Sequence, residues 1–249
     1  MAGARGSVRL REVSLRYDTG TLAVDRFDLD VAPGSFVALL GPSGCGKSSV
    51  LRLVAGLRRP SGGSLERGAE GERTAFVFQE PTLLPWKTVE ANVALPLRLQ
   101  GESRVASTPV VAEALERVGL SAFAGHYPRE LSGGMRMRAS IARAIVSAPQ
   151  VLLLDEPFAA LDEMTRQRLQ EDLLALHAAL GFTVLFVTHS VFEAVYLADR
   201  VVVTTGRPAR VAADLRIDLP RPRPADTRSS PGFSALVGEV GARLREQQP

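Results

Sequence analysis

Apolar and polar positions alternate along residues 8–31. Val8, Leu10, Val13, Leu15 and Tyr17 are followed by turn residues at 18–20, and Leu22, Val24, Phe27, Leu29 and Val31 then resume the pattern. A period near two marks half-buried strands, so this stretch predicts antiparallel strands. Elsewhere the apolar runs are short and continuous, at residues 36–40, 74–78, 151–154, 183–187 and 201–204. Rich in β-branched or aromatic residues, they suit strands buried on both faces and together predict a largely parallel sheet.

Between Pro85 and Pro149 the spacing lengthens to three and four. Val89, Val93 and Leu97, then Val111, Leu115 and Val118, then Ala139, Ala142 and Ile145 predict a helical insertion into the α/β core. After Gly206 come prolines at 208, 220, 222 and 224, and a last helical pattern at Phe233, Leu236, Val237, Val240 and Leu244. A proline-rich arm carrying a small amphipathic helix accounts for both features. That helix either docks on its own core or contributes to a partner surface. The expected organisation is one domain over 1–249, with an α/β core at 1–84 and 149–206. A helical subdomain occupies 85–148, and a C-terminal arm and helix 207–249.

Composition narrows this picture. A chain of 249 residues with 45% apolar content has enough material for a substantial core. The net charge is only +3, and the arginines are scattered among acids rather than grouped, which argues against a nucleic-acid surface. Lys47 and Lys87 are the only lysines among 30 basic residues. The single cysteine, Cys45, cannot form an internal disulfide and fits a reducing compartment; it reads as either a small tolerated residue or a reactive thiol. No segment has 18 uninterrupted apolar residues, and residues 1–11 lack a signal-peptide apolar core. The chain reads as cytosolic, with any membrane role supplied through partners.

The chemistry begins at Gly41-Pro42-Ser43-Gly44-Cys45-Gly46-Lys47-Ser48, which fits G-x-x-x-x-G-K-[ST] between a predicted strand and a helical pattern. Glycines let such a loop curl so that backbone N–H groups face phosphate oxygens at the positive end of the following helix. Lys47 adds a charge for the β- and γ-phosphates, and Ser48 offers a hydroxyl to Mg²⁺. The apolar run at 151–154 ends in Asp155-Glu156, carboxylates that a buried strand avoids unless a cation waits at its tip. Asp155 is thus a second Mg²⁺ ligand and Glu156 the group that polarises the attacking water. His189 follows another strand toward the same expected edge and Gln79 follows a third; taken alone, each reads either as a structural residue or as a group reaching phosphate, metal or water. Leu131-Ser132-Gly133-Gly134-Met135 opens a helix predicted over 135–146, with Ser132 as its cap and two glycines that allow close approach to an anion.

The order of residues 41–48, Gln79, 131–134, Asp155-Glu156, Leu161-Asp162 and His189 closely resembles the ATP-binding cassette superfamily, over about residues 8–205. The likeness is to the ATPase subunit of bacterial importers. It implies a P-loop NTPase with a mostly parallel core sheet, an N-terminal antiparallel β-subdomain and an inserted α-helical subdomain, binding ATP and Mg²⁺. By this resemblance Tyr17 stacks on adenine, the phosphate-binding set runs from Gly41 through Ser49, and Gln79 joins Ser48 and Asp155 at the metal. Glu156, His189 and Lys47 act in catalysis with Asp162 of the D-loop. The resemblance also implies a head-to-tail homodimer, in which Ser132, Gly133 and Gly134 act in trans on the partner's nucleotide.

Phe78-Gln79-Glu80-Pro81-Thr82-Leu83-Leu84-Pro85-Trp86 looks like the branch that imports nitrate, sulfonates, taurine, bicarbonate or thiamine-precursor pyrimidines. In that branch Gln79 and Trp86 border the groove for an integral membrane permease, and a substrate-binding receptor protein takes part indirectly. The subunit is cytoplasmic and peripheral on the inner face of the membrane. A soluble ATP-driven switch acting on ribosomes or DNA, or an efflux ATPase, is the alternative. Soluble relatives usually carry two cassettes, a long coiled coil or zinc-binding cysteines, none of which is visible.

Overall fold

The computed structural model describes residues 5–68 and 71–247. Residues 1–4, the beginning of the stretch 1–11 read above as lacking a signal-peptide apolar core, lie outside the described residues, as do 69–70 and 248–249. The alternating stretch forms β1 (Val8–Arg16) and β2 (Leu22–Val31), paired antiparallel in the register Val8↔Val31 and Leu10↔Leu29. The continuous run that follows is β3 (Phe36–Leu40), buried at every position. It leads through the glycine loop into α1 (Lys47–Val54). A third antiparallel strand, β4 (Gly62–Arg67), was not expected from the sequence. It pairs with β1 at the sheet edge and is almost wholly exposed, so its residues carry no apolar pattern.

After β5 (Thr74–Val77) come the helices of the insertion: α2 (Val89–Val93), α3 (Leu95–Leu99), α4 (Arg104–Arg117) and α5 (Gly133–Ile145). Then β6 (Val151–Asp155), α6 (Glu163–Leu180), β7 (Thr183–Thr188), α7 (Val191–Leu197) and β8 (Arg200–Thr204) return to the core. The segment expected as an arm departs from that expectation, because it opens with β9 (Val211–Arg216) antiparallel to β8. An edge strand buries only one flank, so its apolar signal is weak, and the prolines beyond it dominate the reading. The final helix, α8 (Pro231–Arg245), inserts Phe233 and Val240 into the chain's own core beside α7, which selects the first of its two readings.

The main sheet has the order β5-β6-β7-β3-β8-β9, parallel except for β9. Alternate residues of its strands feed two separate cores. Phe36, Ala38, Leu40, Leu152 and Leu154 face the inserted helices, α6, α7 and α8. Val37, Leu39, Val151 and Leu153 face α1 and the antiparallel sheet. With both faces covered, the strands have no polar side, which explains their unbroken apolar runs. Because five strands run parallel, the ends of β3, β5, β6, β7 and β8 share one edge, and the loops carrying Gly41, Gln79, Glu156 and His189 emerge there.

Candidate active site

Neighbouring strands crowd the loop between β3 and α1 at two of its glycines. At Gly41 a Cβ would stand 2.1 Å from Thr204 Oγ1, and at Gly46 2.3 Å from the Ala23 carbonyl oxygen. Gly46 also has φ 125°, which side-chain-bearing residues rarely adopt. Lys47 is buried, with its ammonium donating to the carbonyls of Gly41 (2.7 Å) and Pro42 (2.8 Å). The helix start leaves the backbone N–H groups of Lys47 and Ser48 free at the positive pole of α1, whereas the Ser49 N–H donates to the Gly46 carbonyl at 2.9 Å.

Ser48 Oγ donates to Asp155 Oδ1 at 2.7 Å, joining the end of β6 to the loop across 107 residues of sequence. Burial holds the Asp155 carboxyl above its usual range; the Ser48 bond opposes this and the Glu156 charge adds to it. Glu156 has φ 47° and donates its N–H to the Val187 carbonyl, turning its side chain to His189. Glu156 Oε2 and His189 Nδ1 are 3.1 Å apart. Tyr17 bonds Ser49 Oγ at 2.9 Å, and with Thr19, Thr21, Lys47, Ser48 and Arg207 it lines a cleft of about 350 Å³.

The structure thus gathers Tyr17, Gly41, Pro42, Ser43, Gly44, Cys45, Gly46, Lys47, Ser48, Ser49, Asp155, Glu156 and His189 along one edge. Gln79 is exposed on the loop after β5, and its side chain hydrogen-bonds no described residue. Cys45 is buried, with Sγ 3.3 Å from Thr204 Oγ1 and 3.7 Å from the Lys47 ammonium.

Ser132 and Asp162 form a second group. Ser132 accepts from the Met135 N–H and caps α5, which begins at Gly133, earlier than the sequence pattern suggested. Asp162 accepts from the Thr165 N–H and caps α6, and these hydrogen bonds hold its carboxyl below the usual range. A Cβ on Gly134 would stand 2.4 Å from Thr165 Cγ2, whereas one on Gly133 would meet Leu161 at an ordinary 3.6 Å. Gly134 therefore serves helix packing inside the chain. The two clefts are separate: the one of about 570 Å³ at Ser132 shares no lining residue with the one at Lys47.

The sequence does not disclose several positioning roles. Asn92, fully buried on α2, accepts from the Leu84 N–H and donates to the carbonyls of Leu84, Lys87 and Thr88. Arg143 on α5 donates to the carbonyls of Pro81 and Thr82. Together they fix the loop that presents Trp86, which is 71% exposed. A polar residue at an apolar position of an amphipathic helix, as at Asn92, is the one signal that would have revealed this clamp.

Residues 24–159 match the ABC transporter family. A putative ATP-binding protein of Brucella abortus is 45% identical over 247 residues, covering 97% of this chain and 95% of the relative. The aliphatic sulfonates import ATP-binding protein SsuB of Ralstonia nicotianae is 48% identical over 226 residues, 89% of this chain and 76% of its own. Among solved structures, a dimeric post-hydrolysis state of the ATP-binding cassette MJ0796 with ADP and Pi superimposes with a TM-score of 0.74. It is 30% identical and covers 85% of this chain and 99% of that one. The chain belongs to the ABC transporter family, as an ATPase of the ATP-binding cassette type.

Proposed function

We propose that this chain is the ATP-hydrolysing subunit of a membrane importer for a small substrate of the sulfonate, nitrate or taurine kind. One observation carries the reading: the phosphate loop, Asp155, Glu156 and His189 meet at one sheet edge, while the helix start at Ser132 faces elsewhere. A site so divided is completed by a second copy set head to tail. Ser132 and the backbone N–H groups of Gly133 and Gly134 then stand as fixed donors where negative charge develops on the partner's nucleotide.

The residues sort into roles by their chemistry. The backbone N–H groups of Gly44, Gly46, Lys47 and Ser48 and the Lys47 ammonium hold the phosphates, the rest of the loop from Gly41 to Ser49 shapes the cradle, and Tyr17 supports the base. Ser48 Oγ and Asp155 Oδ1 form a hydroxyl–carboxylate pair of hard oxygen donors, which fits Mg²⁺ in a site that takes its other ligands from phosphate and water. Mg²⁺, when bound, neutralises charge on the β- and γ-phosphates. Glu156 accepts the proton of the attacking water, and His189 holds the Glu156 carboxylate and the γ-phosphate in mutual register. Gln79, exposed beside the site, is read as the link toward the permease, with Trp86 at the docking groove. No helix among the described residues is long and apolar enough to cross a membrane, so membrane association falls to the permease. By the same reading residues 85–148 act as a helical subdomain on an α/β core.

Glu156→Gln tests the proposal. Hydrolysis falls by about 10²–10⁴-fold, the range for loss of a general base, while ATP binding persists and an ATP-dependent dimer accumulates. Phosphate release and light scattering read these outcomes; wild-type turnover, or a protein that stays monomeric with ATP, refutes it.

A further inference from the structure

Ser190 and Glu193 open α7 with the S-x-x-E spacing of a capping box, in which the glutamate bonds back to the cap N–H. The structure diverts that glutamate. Ser190 Oγ does accept from the Glu193 N–H, but the Ser190 N–H donates to Thr188 Oγ1 at 3.0 Å. The Glu193 carboxylate turns inward, where Oε2 accepts from the Thr188 hydroxyl and Oε1 from Gln170 Nε2 at 3.4 Å. Thr188 therefore donates to one residue and accepts from another across His189, holding both sides of it.

Burying a carboxylate is costly unless it is compensated, and a helix start already capped by Ser190 does not need one. Arg166 supplies the opposite charge. Its Nε lies 3.8 Å from Glu193 Oε1, beyond hydrogen-bond reach, and has no other partner among the described residues. The rest of its guanidinium donates to the Leu161 carbonyl at 2.8 Å and to Glu163 at 3.0 Å, on either side of Asp162. One buried carboxylate thus stands between the segment around His189 and the segment around Asp162.

We propose that Glu193 is a positioning residue for His189: through Thr188 it fixes the strand end that carries the histidine, and through Arg166 it ties that end to the Leu161-Asp162 segment. The two segments then move as one unit. This rests on the reading of His189 and Asp162 as parts of the active site. Neither Glu193 nor Arg166 lines the cleft at Lys47, so their effect falls on the geometry of turnover rather than on binding.

The test uses the full chain, with steady-state ATPase kinetics and binding of a fluorescent ATP analogue. Thr188→Val keeps the shape and removes the hydroxyl; kcat falls about 10-fold or more with the ATP KM within about two-fold, as expected when a reacting group is misplaced. Thr188→Ser restores turnover. Arg166→Met lowers kcat as well, and Arg166→Met/Thr188→Val falls no lower than the worse single variant, because both break one chain of contacts. If Thr188→Val unfolds the protein, Glu193→Ala takes its place in every comparison. Wild-type turnover in Thr188→Val, a KM that rises in step with the loss, failure of Thr188→Ser to restore turnover, or losses that multiply in the double variant would each overturn the proposal. His189→Ala separates the two levels. Full activity there sinks the reading of the histidine, whereas an inactive His189→Ala beside a fully active Thr188→Val sinks only the positioning role.

Discussion

The loop at residues 41–48 and the segment at residues 131–134 are both glycine-rich and both open a helix, yet the fold surrounds them differently. At the first, neighbouring elements converge: Asp155 comes from β6, Thr204 from β8, Ala23 from β2, and Lys47 folds back onto Gly41 and Pro42. At the second, Ser132 only caps its own helix, and Gly134 makes room for Thr165 of α6. A helix N-terminus with glycines becomes a working phosphate site only when other strands bring a cation, a carboxylate and a water-polarising group to it. On the proposed reading the segment at 131–134 is half of a site, and a second copy of the chain supplies the rest.

Five substitutions break or sharpen that contrast. The largest effect belongs to the first region. Lys47→Ala removes the ammonium from the loop, and ATP affinity falls about 100-fold, matching a charge-assisted contact of about 1.5–3 kcal/mol. Titration with a fluorescent nucleotide measures this, and unaltered affinity would mean that the lysine serves only the loop.

In the second region, Gly134→Ala drives a methyl into Thr165 and costs about 1–3 kcal/mol of folding stability. Gly133→Ala meets ordinary contacts and leaves the urea midpoint close to wild type. Equal destabilisation by both would remove the packing role assigned to Gly134.

Ser132→Ala loses the cap of α5, about 1 kcal/mol in unfolding experiments. On the half-site reading its ATPase loss is larger than that stability cost can explain, and mixing it with Lys47→Ala protein restores some hydrolysis through one intact composite site. No recovery on mixing would place Ser132 in its own chain's site.

The smallest effect is on stability against pH. Burial raises the Asp155 carboxyl in the folded protein, so the folded state binds this proton more tightly than the unfolded chain does. Its contribution to stability is therefore greatest at low pH and falls as pH rises from the unfolded value, about 3.9, through the folded one. Asp155→Asn removes that cost without removing the acceptor for Ser48, and the nucleotide-free protein gains about 2 °C in Tm at pH 7. The gain disappears near pH 3, as differential scanning calorimetry would detect; a gain that grows on acidification contradicts the assignment.

Much of the first region was legible in the sequence, because strand, loop and helix are contiguous and their residue types are demanding. Asp155-Glu156 was legible for a related reason, since two carboxylates ending an apolar run need a cation. The polar edge strands β4 and β9 were not, because an edge strand can be formed by almost any side chain when its backbone finds a partner. Nor were the roles of Arg143, Arg166 and Glu193, which lie in partners well separated along the chain: Arg143 meets Thr82 across 61 residues. The Asn92 clamp is local, reaching only Leu84, Lys87 and Thr88, but a single polar residue does not disturb the apolar period around it.

The sequence by itself determined which chemistry is available: a phosphate loop with one of only two lysines, a strand ending in paired carboxylates, a histidine at another strand end, and a second glycine-rich helix start. These follow from local spacing, which fixes period, turn and cap. Only the tertiary structure decided which of them meet. The parallel order of β5, β6, β7, β3 and β8 brings Lys47, Asp155, Glu156 and His189 to one edge, because parallel strands place all their C-terminal ends together. The same packing seats Gly134 on Thr165 of α6 and leaves the clefts at Ser132 and Lys47 without a common lining residue, a separation that no spacing along the chain encodes.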